Sequence, residues 1–169
     1  WKLKTTGEKW YPGETISVGI GQGQVSVTPI ALSTMISSVA NGGTVVTPHL
    51  VKAVDEGQGW ASLEAPKPRS LFQFPPAVID PVREGLWLAV NGAGTAGRAR
   101  IDGHDVVGKT GTAQTISLEG AKAAKAAGLE HRDHSWFVFY APRENPTIAG
   151  VVFVEHGGWG ASAATPIAR

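Results

Sequence analysis

Two runs rich in β-branched and aromatic residues, 134–141 and 148–155, are joined through Pro142-Arg143-Glu144-Asn145-Pro146, and such a pair folds as an antiparallel hairpin. A third run, 107–116, is β-branched and Gly-interrupted, with helix propensity too poor for anything but a strand. At least three strands of one sheet are therefore expected. Upstream, Thr28-Pro29 sets an N-cap followed by proline at the first helical position. Leu32, Met35, Ile36 and Val39 then repeat at helical spacing until Asn41-Gly42-Gly43. Asp80-Pro81 repeats that signature, with Val82, Leu86, Ala89 and Val90 as the apolar face and Asn91-Gly92 as the stop. Strands bunched after helices predict an α+β fold, an antiparallel sheet with helices packed on it.

The remaining stretches are less regular. Residues 1–27 read as a Gly-rich loop, 45–54 as an edge strand interrupted by Pro48, 55–68 as a polar surface excursion and 69–74 as a short strand. Residues 118–132 are Ala- and charge-rich and receive no element. A length of 169 residues suits one domain or a large part of one. The first residue is Trp1, not Met, and the last segment stops while still helix-compatible, so a fragment of a longer protein is expected, spanning 1–169 of a single domain.

Composition removes several function classes. The net charge of +1 and the lack of any basic stripe interleaved with aromatics leave no electrostatic footprint for nucleic acid. Zero cysteines rule out disulfides, thiolate nucleophiles and Cys-based metal sites. His131 and His134, with Asp133 between them and His156 downstream, match no standard metal spacing and read as solvated or capping groups, so neither metal nor cofactor is expected. No run of 18 apolar residues and no export leader is present, and any membrane anchor would lie outside these residues.

The chemistry concentrates at Val107-Gly108-Lys109-Thr110-Gly111-Thr112-Ala113-Gln114. Lys109 supplies positive field, Thr110 and Thr112 supply hydroxyl donors, and Gly111 lets a ligand backbone come close without a Cβ in the way. The Thr112 N–H could face an oxyanion. Gly103, four residues, then Gly108-Lys109-Thr110 also fits the phosphate-loop expression. That reading needs an apolar strand before Gly103 and a helix opening at Lys109, and the sequence supports neither. A nucleophile is missing as well: no Ser is followed three positions later by Lys, and no Ser-x-Asn occurs. Gly160-Ala161-Ser162-Ala163-Ala164 falls one residue short of a nucleophile elbow. Trp87 and Trp136 read as core, whereas Trp10 and Trp159, beside Gly-rich loops, are candidates to line a groove.

Lys109-Thr110-Gly111-Thr112-Ala113-Gln114 resembles the third signature motif of the penicillin-binding proteins and serine β-lactamases. Gly21-Gln22-Gly23, then Val27-Thr28-Pro29-Ile30-Ala31-Leu32 and Ala40-Asn41-Gly42-Gly43, are similar to the segment preceding that motif in class B penicillin-binding proteins of the elongation type. Trp10-Tyr11-Pro12-Gly13-Glu14-Thr15 upstream, and Arg132-Asp133-His134-Ser135-Trp136-Phe137, Ala141-Pro142 and Glu155-His156-Gly157-Gly158 downstream, extend the resemblance over nearly the whole chain.

The resemblance implies the penicillin-binding transpeptidase fold and a D,D-transpeptidase. An acyl-enzyme forms at the penultimate D-Ala of a peptidoglycan stem peptide, D-Ala leaves, and an amine of a neighbouring stem peptide takes the acyl group; β-lactams mimic the donor and trap the enzyme. By the same resemblance Lys109 belongs to the catalytic hydrogen-bond network, and Thr110 and Thr112 bind the carboxylate of substrate or β-lactam. Thr112 lends its N–H to the oxyanion hole, and Gly111 keeps the strand open. The implied partners are a glycan-strand polymerase and elongation-complex proteins, and the implied location is the inner membrane with an extracytoplasmic catalytic domain. The family's Ser-x-x-Lys and Ser-x-Asn motifs are absent and by its domain order would lie upstream of Trp1, so residues 1–169 are expected to form the C-terminal part of a penicillin-binding transpeptidase domain and to be inactive alone. A D,D-carboxypeptidase, a β-lactamase and a noncatalytic binding module are the competing expectations.

Overall fold

The computed structural model describes residues 2–116, 118–128 and 131–169. Helices α1 (Lys2–Thr6), α2 (Pro12–Gly19) and α3 (Pro29–Ala40) come first. Four short strands follow, β1 (Thr44–Val45), β2 (Ala53–Asp55), β3 (Trp60–Ser62) and β4 (Ser70–Leu71), and then α4 (Pro76–Asn91) and a 3-10 turn at Gly97–Ala99. The second half is β5 (Val107–Ala113), α5 (Leu118–Ala126), β6 (His134–Ala141), β7 (Ile148–Val154) and α6 (Ala164–Ile167). The organising sheet is antiparallel, in the order β5-β6-β7, as the three strand-like runs predict.

The first strong helix begins where its cap predicts: Thr28 Oγ1 accepts from the Ala31 N–H at 3.3 Å, with Pro29 at the first helical position. Its end is tied down by Asn41, whose Oδ1 accepts from the N–H groups of Gly43 (3.2 Å) and Thr44 (2.8 Å). Gly43 has φ +120°, and a Cβ there would run into the Phe72 carbonyl, so glycine is required at this close approach.

Four expectations need correction. Helix α4 starts at Pro76, a turn before Asp80-Pro81, because the Pro75 carbonyl accepts from the N–H groups of Val78 (2.8 Å) and Ile79 (3.0 Å); Pro81 sits inside the helix. Within residues 1–27 two helices form, α2 with Pro12 in its first turn and the Glu14 carboxylate accepting from the Tyr11 N–H at 2.7 Å. The 45–54 strand divides on either side of Pro48 into β1, paired with β4, and β2, paired with β3 across the surface excursion. The Ala-rich segment contains helix α5.

Side chains alternate across the main sheet, and each face has its own core. On one face Phe137 packs with Val90, Ala96, Ala99, Val106 and Ala164, bringing in α4, the 3-10 turn and α6. On the other face Val107 and Tyr140, opposite each other in the ladder, pack with Ile36 and Ala40 of α3. Helices therefore cover both faces, and one long edge of β5 carries no strand among the described residues.

Candidate active site

Register places every candidate residue. Gly111 pairs with Trp136, Lys109 with Val138 and Val107 with Tyr140, so Lys109 and Gly111 share the α3 face. Thr110 pairs with Phe137 and Thr112 with Ser135, which puts both threonines on the α6 face. The Gly111 and Trp136 carbonyl oxygens and the Gly111 nitrogen all crowd the position a Cβ would take on Gly160, as they do when this ladder pair turns its main-chain groups inward between β5 and β6. In an antiparallel ladder the main-chain groups of the neighbouring residues then point the other way. The N–H and C=O groups of Thr110 and Thr112 therefore line the open edge of β5.

Two contacts agree with that geometry. Lys109 Nζ reaches round to the Thr110 carbonyl at 2.9 Å, and Gln22 Nε2 donates to the Thr112 carbonyl at 3.3 Å. The edge thus collects a cation from Lys109, outward N–H groups at Thr110 and Thr112, and two threonine hydroxyls. Lys109 is exposed, and both threonines and Gly111 are half-buried. Such an array can hold an anionic group and a developing oxyanion against one strand.

The hydroxyls differ in their surroundings. Thr110 Oγ1 lies 2.7 Å from Thr95 Oγ1 and 3.5 Å from Lys109 Nζ. Thr112 Oγ1 accepts from the Gly160 N–H at 3.3 Å. Beside Thr112 opens a cleft of about 370 Å³ walled by His131, Arg132, Asp133, Trp159 and Ser162. Of the two candidate groove tryptophans, Trp159 lines this cleft and is 77% exposed, whereas Trp10 borders a separate hollow with Lys2, Leu3 and Lys9.

The phosphate-loop reading fails on structure. Gly103 lies in a turn at φ +78°, and Lys109 is the third residue of an antiparallel strand, so no helix N-terminus opens at the lysine. The histidines come together instead of dispersing: the His134 and His156 rings are 4.8 Å apart. Their nitrogens have local tasks. His134 Nδ1 accepts from the His156 N–H at 2.9 Å, His156 Nδ1 lies 3.0 Å from the Arg132 carbonyl, and His131 Nε2 lies 2.6 Å from Thr115 Oγ1. Among the described residues no group of three or more His, Asp or Glu is placed to hold a metal.

Sequence reasoning quotes Gln22 and Ser135 only within longer family-like strings and Gly160 only as the start of a near-elbow string, passes over Thr95, and gives none of the four a role at the strand that they surround. Only the sheet register brings them to Thr110 and Thr112.

A helix-covered antiparallel sheet whose open edge strand carries Lys-Thr-Gly-Thr defines a class, and comparison agrees with it. Residues 2–169 match the Transpeptidase family, the penicillin binding protein transpeptidase domain, and the chain belongs to that family. It is 40% identical over its whole length to the peptidoglycan D,D-transpeptidase MrdA of Haemophilus influenzae, of which it covers 27%. With MrdA of Acinetobacter baumannii it shares 37% identity over 97% of this chain and 25% of that protein. The crystal structure of Pseudomonas aeruginosa PBP2 in complex with WCK 5153 is similar at a TM-score of 0.75 and 40% identity, covering 99% of this chain and 33% of that one. PBP2 of Helicobacter pylori, in its complex with MreC, is similar at a TM-score of 0.73 and 27% identity, covering 99% of this chain and 28% of that one. The chain thus spans about a quarter of the length of the curated relatives it matches.

Proposed function

We propose that this chain forms the anion-binding wall of a serine-type peptidoglycan D,D-transpeptidase of the elongation type. The observation that carries the reading is the open edge of β5, where Lys109, Thr110, Gly111 and Thr112 converge within the family's fold. In this mechanism a serine Oγ from a part of the protein outside this chain attacks the carbonyl carbon of the penultimate D-Ala. The carbonyl oxygen becomes an oxyanion held by the outward Thr112 N–H, while the Thr110 and Thr112 hydroxyls hold the terminal carboxylate. The C–N bond breaks, D-Ala leaves with a proton on its nitrogen, and an amine of a second stem peptide then displaces the serine oxygen. Lys109 adds positive field to the ligand carboxylate and belongs to the hydrogen-bond network of the site.

β-Lactams react at the same serine by ring opening. The partners we propose are a glycan-strand polymerase and elongation-complex proteins. A structure of H. pylori PBP2 with MreC and one of a peptidoglycan synthase complex, both similar to this chain, support partners of that kind. Among the described residues no helix is long and apolar enough to cross a membrane. An inner-membrane anchor supplied by the rest of the protein, with this domain on the extracytoplasmic side, completes the reading.

Intact-mass spectrometry after exposure to a β-lactam tests it, using this chain and the full gene product. One covalent adduct on the full protein and none on this chain is the expected result. Acylation of this chain would place a nucleophile within it, and no adduct on either would leave a noncatalytic binding module.

A further inference from the structure

The loop between β7 and α6 lies flat on the sheet directly over the site. Ser135 Oγ, fully buried opposite Thr112, donates to the Gly158 carbonyl at 2.8 Å, and the Gly158 N–H donates to the Asp133 carbonyl at 2.8 Å. Two residues on, the Gly160 carbonyl accepts from both the N–H (3.0 Å) and the hydroxyl (2.9 Å) of Thr165, which is also fully buried. A Cβ on Gly160 would meet the Gly111 and Trp136 carbonyls, so the backbone approaches closer than any other residue allows. The Gly160 N–H ends on Thr112 Oγ1.

A threonine hydroxyl has one proton and two lone pairs. With one lone pair taken by the Gly160 N–H, the Thr112 hydroxyl keeps its proton to donate elsewhere. No acceptor for it lies within hydrogen-bond reach among the described residues. Thr110 differs, since its oxygen shares a 2.7 Å bond with Thr95 and is approached by Lys109. We propose that Thr165 and Ser135 are positioning residues: by holding the Gly158–Gly160 backbone rigid, they turn the Thr112 hydroxyl into a committed donor toward the ligand's carboxylate. The inference rests on the transpeptidase reading and adds to it a buried device, outside the signature motif, that sets hydroxyl orientation. Neither residue touches the ligand, and each acts through the loop backbone.

The test is stopped-flow acylation of the full-length protein by a chromogenic cephalosporin, separating the dissociation constant of the first complex from the acylation rate constant. Thr165→Val keeps the shape and the N–H but loses the hydroxyl bond to Gly160. It should raise the dissociation constant about tenfold, the scale of part of a charge-assisted hydrogen bond, while the acylation rate constant stays within about twofold. Thr165→Ser should restore the wild-type constant. Ser135→Ala, which releases Gly158 from the other side, should shift the same constant in the same direction and provides the reading if Thr165→Val does not fold. An unchanged dissociation constant in the folded variants, or a rise matched by an equal fall in the acylation rate constant, would overturn the inference. Failure of the wild-type protein to be acylated would instead overturn the transpeptidase reading, and the inference with it.

Discussion

The Arg83 guanidinium on α4 closes the end of α3 by donating to the Val39 carbonyl through Nε (3.0 Å) and Nη2 (2.8 Å), and from Nη2 to the Ala40 carbonyl (2.9 Å). These are carbonyls that a helix leaves without partners at its C-terminus, and a cation there also suits the helix dipole. Because α3 carries Ile36 and Ala40 into the core beneath Val107, the clamp bears on the strand that presents Lys109. Arg83→Met should cost about 2 kcal/mol, read as a lower midpoint in urea unfolding. Arg83→Lys should recover less than half, since an ammonium cannot span the two carbonyls as a fork does.

At the site itself, main chain and side chain separate cleanly. In the full-length protein Lys109→Ala should lower the rate of β-lactam acylation by about a hundredfold with little change in melting temperature, because Lys109 is exposed. Thr112→Ala keeps the N–H and removes only the hydroxyl, so it should raise the dissociation constant of the first complex by at least about tenfold and leave the acylation rate constant within about twofold. Acylation kinetics beside thermal melts check both.

Tyr140 is fully buried, its hydroxyl has no hydrogen-bond partner among the described residues, and burial pushes its pKa up. Tyr140→Phe should therefore be neutral or stabilising, by up to about 1 kcal/mol. The sign with pH follows from linkage. Above about pH 10 the unfolded phenol releases its proton while the folded one keeps it, so stability falls as pH rises. The wild type should lose stability there more steeply than Tyr140→Phe, as denaturant midpoints between pH 8 and 11 would show.

Lys2 joins the first two helices. Its ammonium lies 2.6 Å from Glu14 Oε1 and 3.0 Å from the Lys9 carbonyl, and it stacks over the Tyr11 ring. The Glu14 carboxyl is held below its ordinary value by that hydrogen bond from Lys2 and then by the Tyr11 N–H. Glu14 therefore contributes stability above its unfolded value of 4.5 that is lost as pH falls through the lower folded value. Lys2, raised chiefly by Glu14, contributes below 10.5 and loses this as pH rises through its folded value. Amide protection factors across residues 2–19, corrected for the intrinsic pH dependence of exchange, should fall on acidification, and Glu14→Gln should flatten that response.

The elements with strong periodic patterns were legible: the β6–β7 hairpin, the β5 strand and α3, whose cap and stop residues are local. Local reading failed where the deciding partner was elsewhere or the signal was degenerate. A proline after a polar residue looks the same at the start of a helix as one turn inside it, which is why Pro81 misplaced the start of α4. The 1–27 segment seemed a loop because its glycines outweighed the Glu14 cap. At the site, Lys109, Thr110, Gly111 and Thr112 were visible as one string. Gln22, Thr95, Ser135 and Gly160 meet them only through strand register and loop return, which no short window contains.

The open edge of β5 also bears on how such a site can change under selection. Besides their hydroxyls, Thr110 and Thr112 offer main-chain N–H and C=O groups along it, and every residue but proline presents the same pair. Exchanging a side chain removes the Lys109 cation or a threonine hydroxyl but cannot delete this main-chain part of the edge. On the transpeptidase reading, a change that weakens a ligand's main-chain contacts must shift the strand itself or alter what packs on it, the Gly158–Gly160 backbone on one face and α3 on the other.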